Sequence, residues 1–258
     1  IDSRNTFFFS GTFGILINNI IFGKVKLNNS DWKFICLFGF CQNTLYLGLN
    51  FLAMNKIDAY LAVIVASLLP IFVAIISFFL KKDKIHFLSV IGIIVGFFGS
   101  SIILAPKITV NLNLYGLSLC LIAVIALAMA TLIIKDGFSY KEQLLPFVSI
   151  QMIVGGLPLL LLSFLFEEWT INFSNSFIIA FIYTCFFPGL IATMIWFNLV
   201  KRIGVIMASS FHFLTPPTGV IIAYIILNEN IIINDIVGII FITIALTTIH
   251  QANKRTKN

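Results

Sequence analysis

Charge is what this chain has least of. Its 258 residues hold 16 Lys and Arg and 10 Asp and Glu, 10% in all, where a soluble domain carries about 25%. That scarcity excludes a water-facing globule, because too little polar surface exists to cover one. Every Asp and Glu lies at the end of a long apolar stretch or in a connection. A carboxylate relay buried in mid-membrane therefore has no obvious residue. No GxxxxGK[ST] stretch occurs, which argues against ATP driving the chain by itself. His86, His212 and His250 are far apart and form no HxxxxD-like cluster, so clustered acid–base or transferase chemistry lacks its residues. Cys36, Cys41, Cys120 and Cys185 form no CxxC and no cysteine–histidine group. They read as small apolar packing residues, with no metal and no cofactor expected.

What is there is hydrocarbon. The chain is 60% hydrophobic, with a mean hydropathy of +1.07. Nine long runs are free of Asp, Glu, Lys and Arg: 5–23, 34–55, 59–80, 85–106, 108–134, 143–166, 169–200, 203–228 and 236–253. Each is long enough, at 1.5 Å per residue, to cross most of a hydrocarbon core of roughly 30 Å. They do not alternate polar and apolar residues as barrel strands would. The expected fold is an all-α polytopic membrane protein with nine helices present. Placing the connections alternately on two sides puts thirteen basic residues on one side and three on the other. The richer side is cytoplasmic by the positive-inside bias. It holds the basic tail, 251–258, and residue 1 lies outside. The net charge of +6 is then an orientation signal that requires no nucleic-acid partner.

The chain also repeats itself. At a shift of 146, residues 34–104 lie over 180–250 without a gap. Pro70 falls on Pro216, Asp83 on Glu229 and Gly92 on Gly238. The cluster Lys81–Lys84 is basic and its counterpart Leu227–Asn230 carries no lysine. Halves that match in sequence and invert in charge are expected of inverted-topology repeats. The divisions expected are 1–105, with four helices, and 112–250, with five. Inversion needs an odd number per half, so the expectation is one further helix before residue 1 and ten in two five-helix repeats.

Ten helices in two such halves resemble the EamA-type proteins of the drug/metabolite transporter superfamily. The residues that carry the resemblance are PPTGVIIAYIILNEN after Thr215, PIFVAIISFFLKKDK from Pro70, SIQMIVGGLPLLLLSF (Ser149–Phe164) and LIATMIWFNLVKRIGVIMASS (Leu190–Ser210). Asn228 stands where that pattern usually has glycine, and Asp83 where it has glutamate. The resemblance implies a secondary transporter in the plasma membrane (the bacterial inner membrane). Its cargo would be a small metabolite, such as an amino acid or a nucleotide-derived compound, carried by alternating access through a cavity between the repeats. It implies no enzyme activity. Two other readings were weighed: a polytopic enzyme such as a lipid-modifying transferase, and a membrane partner subunit that does not transport. The lipid bilayer and the cargo are the expected partners, with a second copy of the chain a further candidate.

Polar groups within spans are expensive unless they face protein or water, so they mark the candidate site. Asn43, Tyr46 and Asn50 recur at i, i+3 and i+7, which an α-helix would place on one face. At the same depths in the other half stand Gly189, Ala192 and Trp196. The candidates for cargo binding are Asn43, Tyr46, Asn50, Ser67, Gln151, Trp196, His212 and Thr215. Each has a competing reading as interhelical glue, or for His212 as a neutral packed histidine. Pro70 and Pro216 are expected to bend their helices near the cavity. Asp83 and Glu229 are expected to stabilise the positive start of the helix that follows each. Trp32 and Trp169 are expected belt anchors at span ends.

Overall fold

The computed structural model describes residues 11, 12, 14, 15, 29–80, 85–107, 113–137, 144–166 and 174–257. Nearly all of these are helical and none is in a strand. Eight helical spans among them are long and apolar enough to cross a membrane: Asp31–Met54, Ala59–Phe79, Phe87–Leu104, Leu114–Lys135, Leu144–Leu162, Asn175–Ile203, Val205–Leu227 and Ile233–Arg255. They match the last eight of the nine expected runs. The first, 5–23, lies almost wholly outside the described residues, as do Lys81–Lys84 with Asp83, and Trp169. Helices suit these sequences because each satisfies its backbone within itself, which hydrocarbon demands. Their outer faces are apolar: Phe79 is 75% exposed, Phe87 73% and Phe164 70%. Large apolar side chains exposed in such number make a lipid-facing surface.

The helices are labelled here α1 (Asn29–Gly39), α2 (Gly48–Met54), α3 (Ala59–Ala66), α4 (Leu69–Phe79), α5 (Phe87–Leu104), α6 (Leu114–Gly137), α7 (Leu144–Phe166), α8 (Asn175–Thr184), α9 (Ala192–Ile203), α10 (Val205–Ser210), α11 (Thr215–Leu227) and α12 (Ile233–Lys257). Two compact units form. One is built from the described residues of Ile1–Gly48 and Ile133–Arg202, the other from those of Leu49–Leu132 and Ile203–Asn258. Each unit draws on both halves of the chain, so the division in space cuts across the repeat divisions 1–105 and 112–250.

The first unit holds a buried aromatic trio. Phe197 of α9 lies with its ring centroid 4.8 Å from Phe38 of α1 and 5.4 Å from Phe147 of α7, both edge to face. That geometry suits the ring quadrupoles and adds about 0.5–1.5 kcal/mol per pair beyond burial.

In the second unit α5 and α12 run against each other. They occupy equivalent positions in the repeat, since Phe87 shifted by 146 is Ile233. A Cβ on Gly99 would meet the Gly238 carbonyl oxygen at 2.9 Å, and one on Gly238 would meet that of Gly99 at 2.6 Å. A Cβ on Gly92 would meet the Ala245 carbonyl oxygen at 3.0 Å. Shifted by 146, the pair Gly92–Ala245 becomes Gly238–Gly99. The contact is therefore its own image, as a two-fold axis between antiparallel helices requires. Small residues let the two backbones touch, and in lipid such packing replaces the hydrophobic drive. Around the crossing Ile93, Ile103, Leu104, Phe213, Val220, Ile242 and Ile249 form the core.

Pro70 and Pro216 sit at helix starts. α3 ends at Ala66, a turn passes Ser67 and Leu68, and α4 restarts at Leu69. α10 ends at Ser210, a 3-10 turn runs Phe211–Leu214, and α11 restarts at Thr215. The restarts are 146 apart. The residues before them, Leu68 and Leu214, have φ,ψ of −76°, −11° and −76°, −13°. Both prolines of the Pro216–Pro217 doublet stand in the first turn of α11 and both are buried. There a missing N–H costs little, because first-turn N–H groups lack intrahelical partners.

At its other end α11 stops in Asn228, at φ 54° and ψ 32°. This is the left-handed conformation that ends many helices and that Gly and then Asn adopt most readily. The start of α12 has a carboxylate besides the expected Glu229. α12 starts at Ile233, and in its first turn stands Asp235, whose Oδ2 accepts the Ile232 N–H at 3.0 Å. Glu229 follows the end of α11, its N–H donating to the Ala223 carbonyl at 3.3 Å.

Candidate functional site

Within the span Asp31–Met54 the helix widens. Residues Phe40–Leu47 form a π-helical segment, with the Gly48 N–H donating to the Asn43 carbonyl five residues back. A second π segment, Cys185–Ile191, interrupts the span Asn175–Ile203, with the Ala192 N–H donating to the Phe187 carbonyl. Shifted by 146, the first segment would fall on 186–193, so the two nearly coincide in the repeat. Pro188 lies inside the second, where its missing N–H already breaks the α pattern. Segments of this kind are rare and recur at functional sites.

The first π segment changes the face that an α-helical spacing implies. Closing turns over five residues alters the angle between Asn43, Tyr46 and Asn50. Asn43 is 1% exposed in the first unit. Its Nδ2 donates to Gln151 Oε1 at 2.8 Å and to the Gln151 carbonyl at 3.2 Å. Asn50 instead accepts from the Cys120 thiol at 3.4 Å in the second unit. The structure thus joins two of the eight candidates, Asn43 and Gln151; Asn50 belongs to the second unit.

The Asn43–Gln151 pair sits at a close crossing with α7. Cβ atoms on Gly39 and Gly155 would meet each other's surroundings, Gly155 against the Gly39 carbonyl and Gly39 against the Gln151 carbonyl. Beside it the Thr44 hydroxyl donates to the Gly155 carbonyl at 2.6 Å. Sequence reasoning missed Thr44. Its signal was adjacency to Asn43 and a partner glycine, neither of which spacing alone brings out. Gln42 was also missed; its buried Oε1 has no hydrogen-bond partner.

Of the remaining candidates, Tyr46 lies half-buried in the first π segment and Trp196 half-buried on α9, both in the first unit. Ser67, His212 and Thr215 lie in the second, at the two helix interruptions. Ser67 is buried and its hydroxyl donates to the Val63 carbonyl at 3.0 Å, a bond within its own helix that many hydroxyls make in lipid. His212 is half-buried in the 3-10 turn, and Thr215 is exposed at the first position of α11. All four cysteines are free thiols. Among the described residues no group of His, Cys, Asp and Glu could hold a metal ion.

Comparison with known proteins bears on what this arrangement does. The profile of the EamA-like transporter family matches residues 5–105 and 114–250. The uncharacterized transporter YvbV of Bacillus subtilis is 23% identical over 235 residues, 91% of this chain and 76% of that protein. An uncharacterized transporter of Clostridium kluyveri is 24% identical over 94% of this chain and 79% of its own length. The chloroplastic WAT1-related protein At3g02690 of Arabidopsis thaliana is 26% identical over 80% of this chain, which spans 52% of it. A solved crystal structure shares the fold with a TM-score of 0.81 at 15% identity, covering 98% of this chain and 88% of the other.

Proposed function

This chain belongs to the EamA-like transporter family, and we propose that it is a secondary transporter of a small metabolite across the plasma membrane. It is a multi-pass membrane protein with apolar helices throughout. What carries the proposal is the pairing of interruptions. Both halves break a helix before an equivalent proline, and both widen another into a π segment at nearly the same position. A passive partner subunit has no need of matched weak points, whereas alternating access needs each half to move in turn. The two halves, 1–105 and 112–250, act as inverted repeats. The candidate cargo contacts are Asn43, Tyr46, Gln151 and Trp196 in the first unit, and Asn50, Ser67, His212 and Thr215 in the second. No catalysis is part of this reading, and the C-terminus is cytoplasmic.

Untargeted metabolite profiling of cells with and without the full-length protein tests it. The expected result is a shifted distribution of one small metabolite or a few related ones. That shift should be lost in Tyr46→Ala and Trp196→Ala at normal protein levels. Unchanged metabolite distributions would overturn the transporter reading, and a tag at residue 258 reachable from outside intact cells would overturn the orientation.

A further inference from the structure

Two amide side chains meet in the first unit and do not satisfy each other fully. Asn43 spends its NH2 on the Gln151 side chain and carbonyl. Asn43 Oδ1 and Gln151 Nε2 remain buried without a hydrogen-bond partner, on residues that are 1% and 0% exposed. A buried acceptor or donor left unmade costs about 1–3 kcal/mol, and this pair carries one of each. In lipid, where surrounding chains offer no partner, such a cost is borne for a purpose.

The two orphan atoms set a chemical requirement. The molecule that satisfies both must donate to Asn43 Oδ1 and accept from the Gln151 NH2. A carboxylate can only accept and an ammonium can only donate. An uncharged amide edge does both, as in a carboxamide, a ureide or a nucleobase. The charge distribution points the same way. Among the described residues, no Asp, Glu, Lys or Arg lies in the middle of any span. A charged cargo would meet no opposite charge at that depth, and an unpaired charge there is the costliest thing to bury. The symmetry adds a third point. The position equivalent to Asn43 is Gly189, inside the second π segment, so the first π segment carries an amide that the second lacks.

We infer that the Asn43–Gln151 pair is the polar recognition point of the cargo site, and that it selects uncharged molecules bearing an amide-like edge. This rests on the transporter reading above and names its substrate class.

Matched probes test it: nicotinamide against nicotinate, and uracil against orotate. Binding is read by thermal shift of the purified full-length protein in detergent, and uptake by proteoliposomes with the labelled neutral compounds. The neutral member of at least one pair should raise the melting temperature, and its acid partner should not. Asn43→Leu and Gln151→Leu should weaken binding by at least about tenfold, the loss of one buried bond. Gln151→Met keeps the side chain's length, removes the free NH2 and introduces no charge, so it should weaken binding at normal protein levels. Thr44→Val is the control. It removes a bond between the same two segments and touches neither orphan, so binding should persist. Equal binding of the acids, binding by none of the four probes, or a loss in Thr44→Val as large as in the amide variants would each overturn the inference. Neutral probes that bind without being carried would leave the inference standing and remove the transporter reading. A different cargo, carried equally well by Asn43→Leu and Gln151→Leu, would do the reverse.

Discussion

Adding one methyl group at Gly238 should loosen the second unit, and the size of the effect follows from what that methyl would touch. A Cβ there would lie 2.6 Å from the Gly99 carbonyl oxygen and would also run into Ile103 Cγ1 and Cδ1. The first neighbour is backbone of α5 and cannot step aside as a side-chain end can. Overpacking of this kind costs about 1–3 kcal/mol. Against it stands the gain of replacing a helical glycine by alanine, about 0.5–1 kcal/mol. The net expectation for Gly238→Ala is a loss of roughly 1–2 kcal/mol. Gly219, in α11, is the internal control, because a Cβ there meets nothing within 4 Å. Gly219→Ala should therefore be neutral or slightly stabilising. The assay is the fraction of protein still monodisperse in mild detergent after a heating series. The two substitutions are chemically the same and both are helical, so propensity predicts the same shift for both. If Gly238→Ala and Gly219→Ala moved together, the reading of α5 and α12 as a backbone-to-backbone crossing would be wrong.

The same heating assay checks three further outcomes. Asn228→Ala removes the short polar side chain that makes φ 54° tolerable and should cost about 1 kcal/mol, while Asn228→Gly should cost nothing. Gly204 has φ 87° and ψ 163°, a region essentially reserved for glycine, so Gly204→Ala should cost about 1–3 kcal/mol although space is open around it. Phe197→Ala empties the centre of the aromatic trio and should cost about 3–5 kcal/mol. Phe197→Leu should recover most of that loss.

Much of this fold was legible because the bilayer imposes a simple rule. Charges must stay at the ends of spans, so charge-free runs located eight helices to within a few residues. The proline offset was legible too, since Pro70 and Pro216 are rare residues at one fixed distance. What proline does there was less so. Read as kinks inside long helices, both prove to stand just after a break, where an earlier turn has already ended the ladder. Asp235 went unnoticed because it looks like one more charge at a span end. Only the structure shows that its Oδ2 accepts the Ile232 N–H at the start of α12.

The π segments explain why the candidate site was half visible. A π turn takes in one more residue than an α turn, and nothing in composition marks the addition. An i, i+3, i+7 pattern read at 3.6 residues per turn therefore does not carry over to Asn43, Tyr46 and Asn50 as one helical face. Gln151 could be picked out as a buried amide, but its bond to Asn43 spans 108 positions and has no local signature. The two halves share their interruptions and differ in the side chains those interruptions carry. Under the transporter reading proposed above, mechanics calls for the likeness, since each half would have to yield at the same depth for access to alternate. Recognition calls for the difference, since a cargo without two-fold symmetry cannot be held by two identical faces. Asn43, set on one of two matched π segments where the other carries Gly189, supplies such a difference.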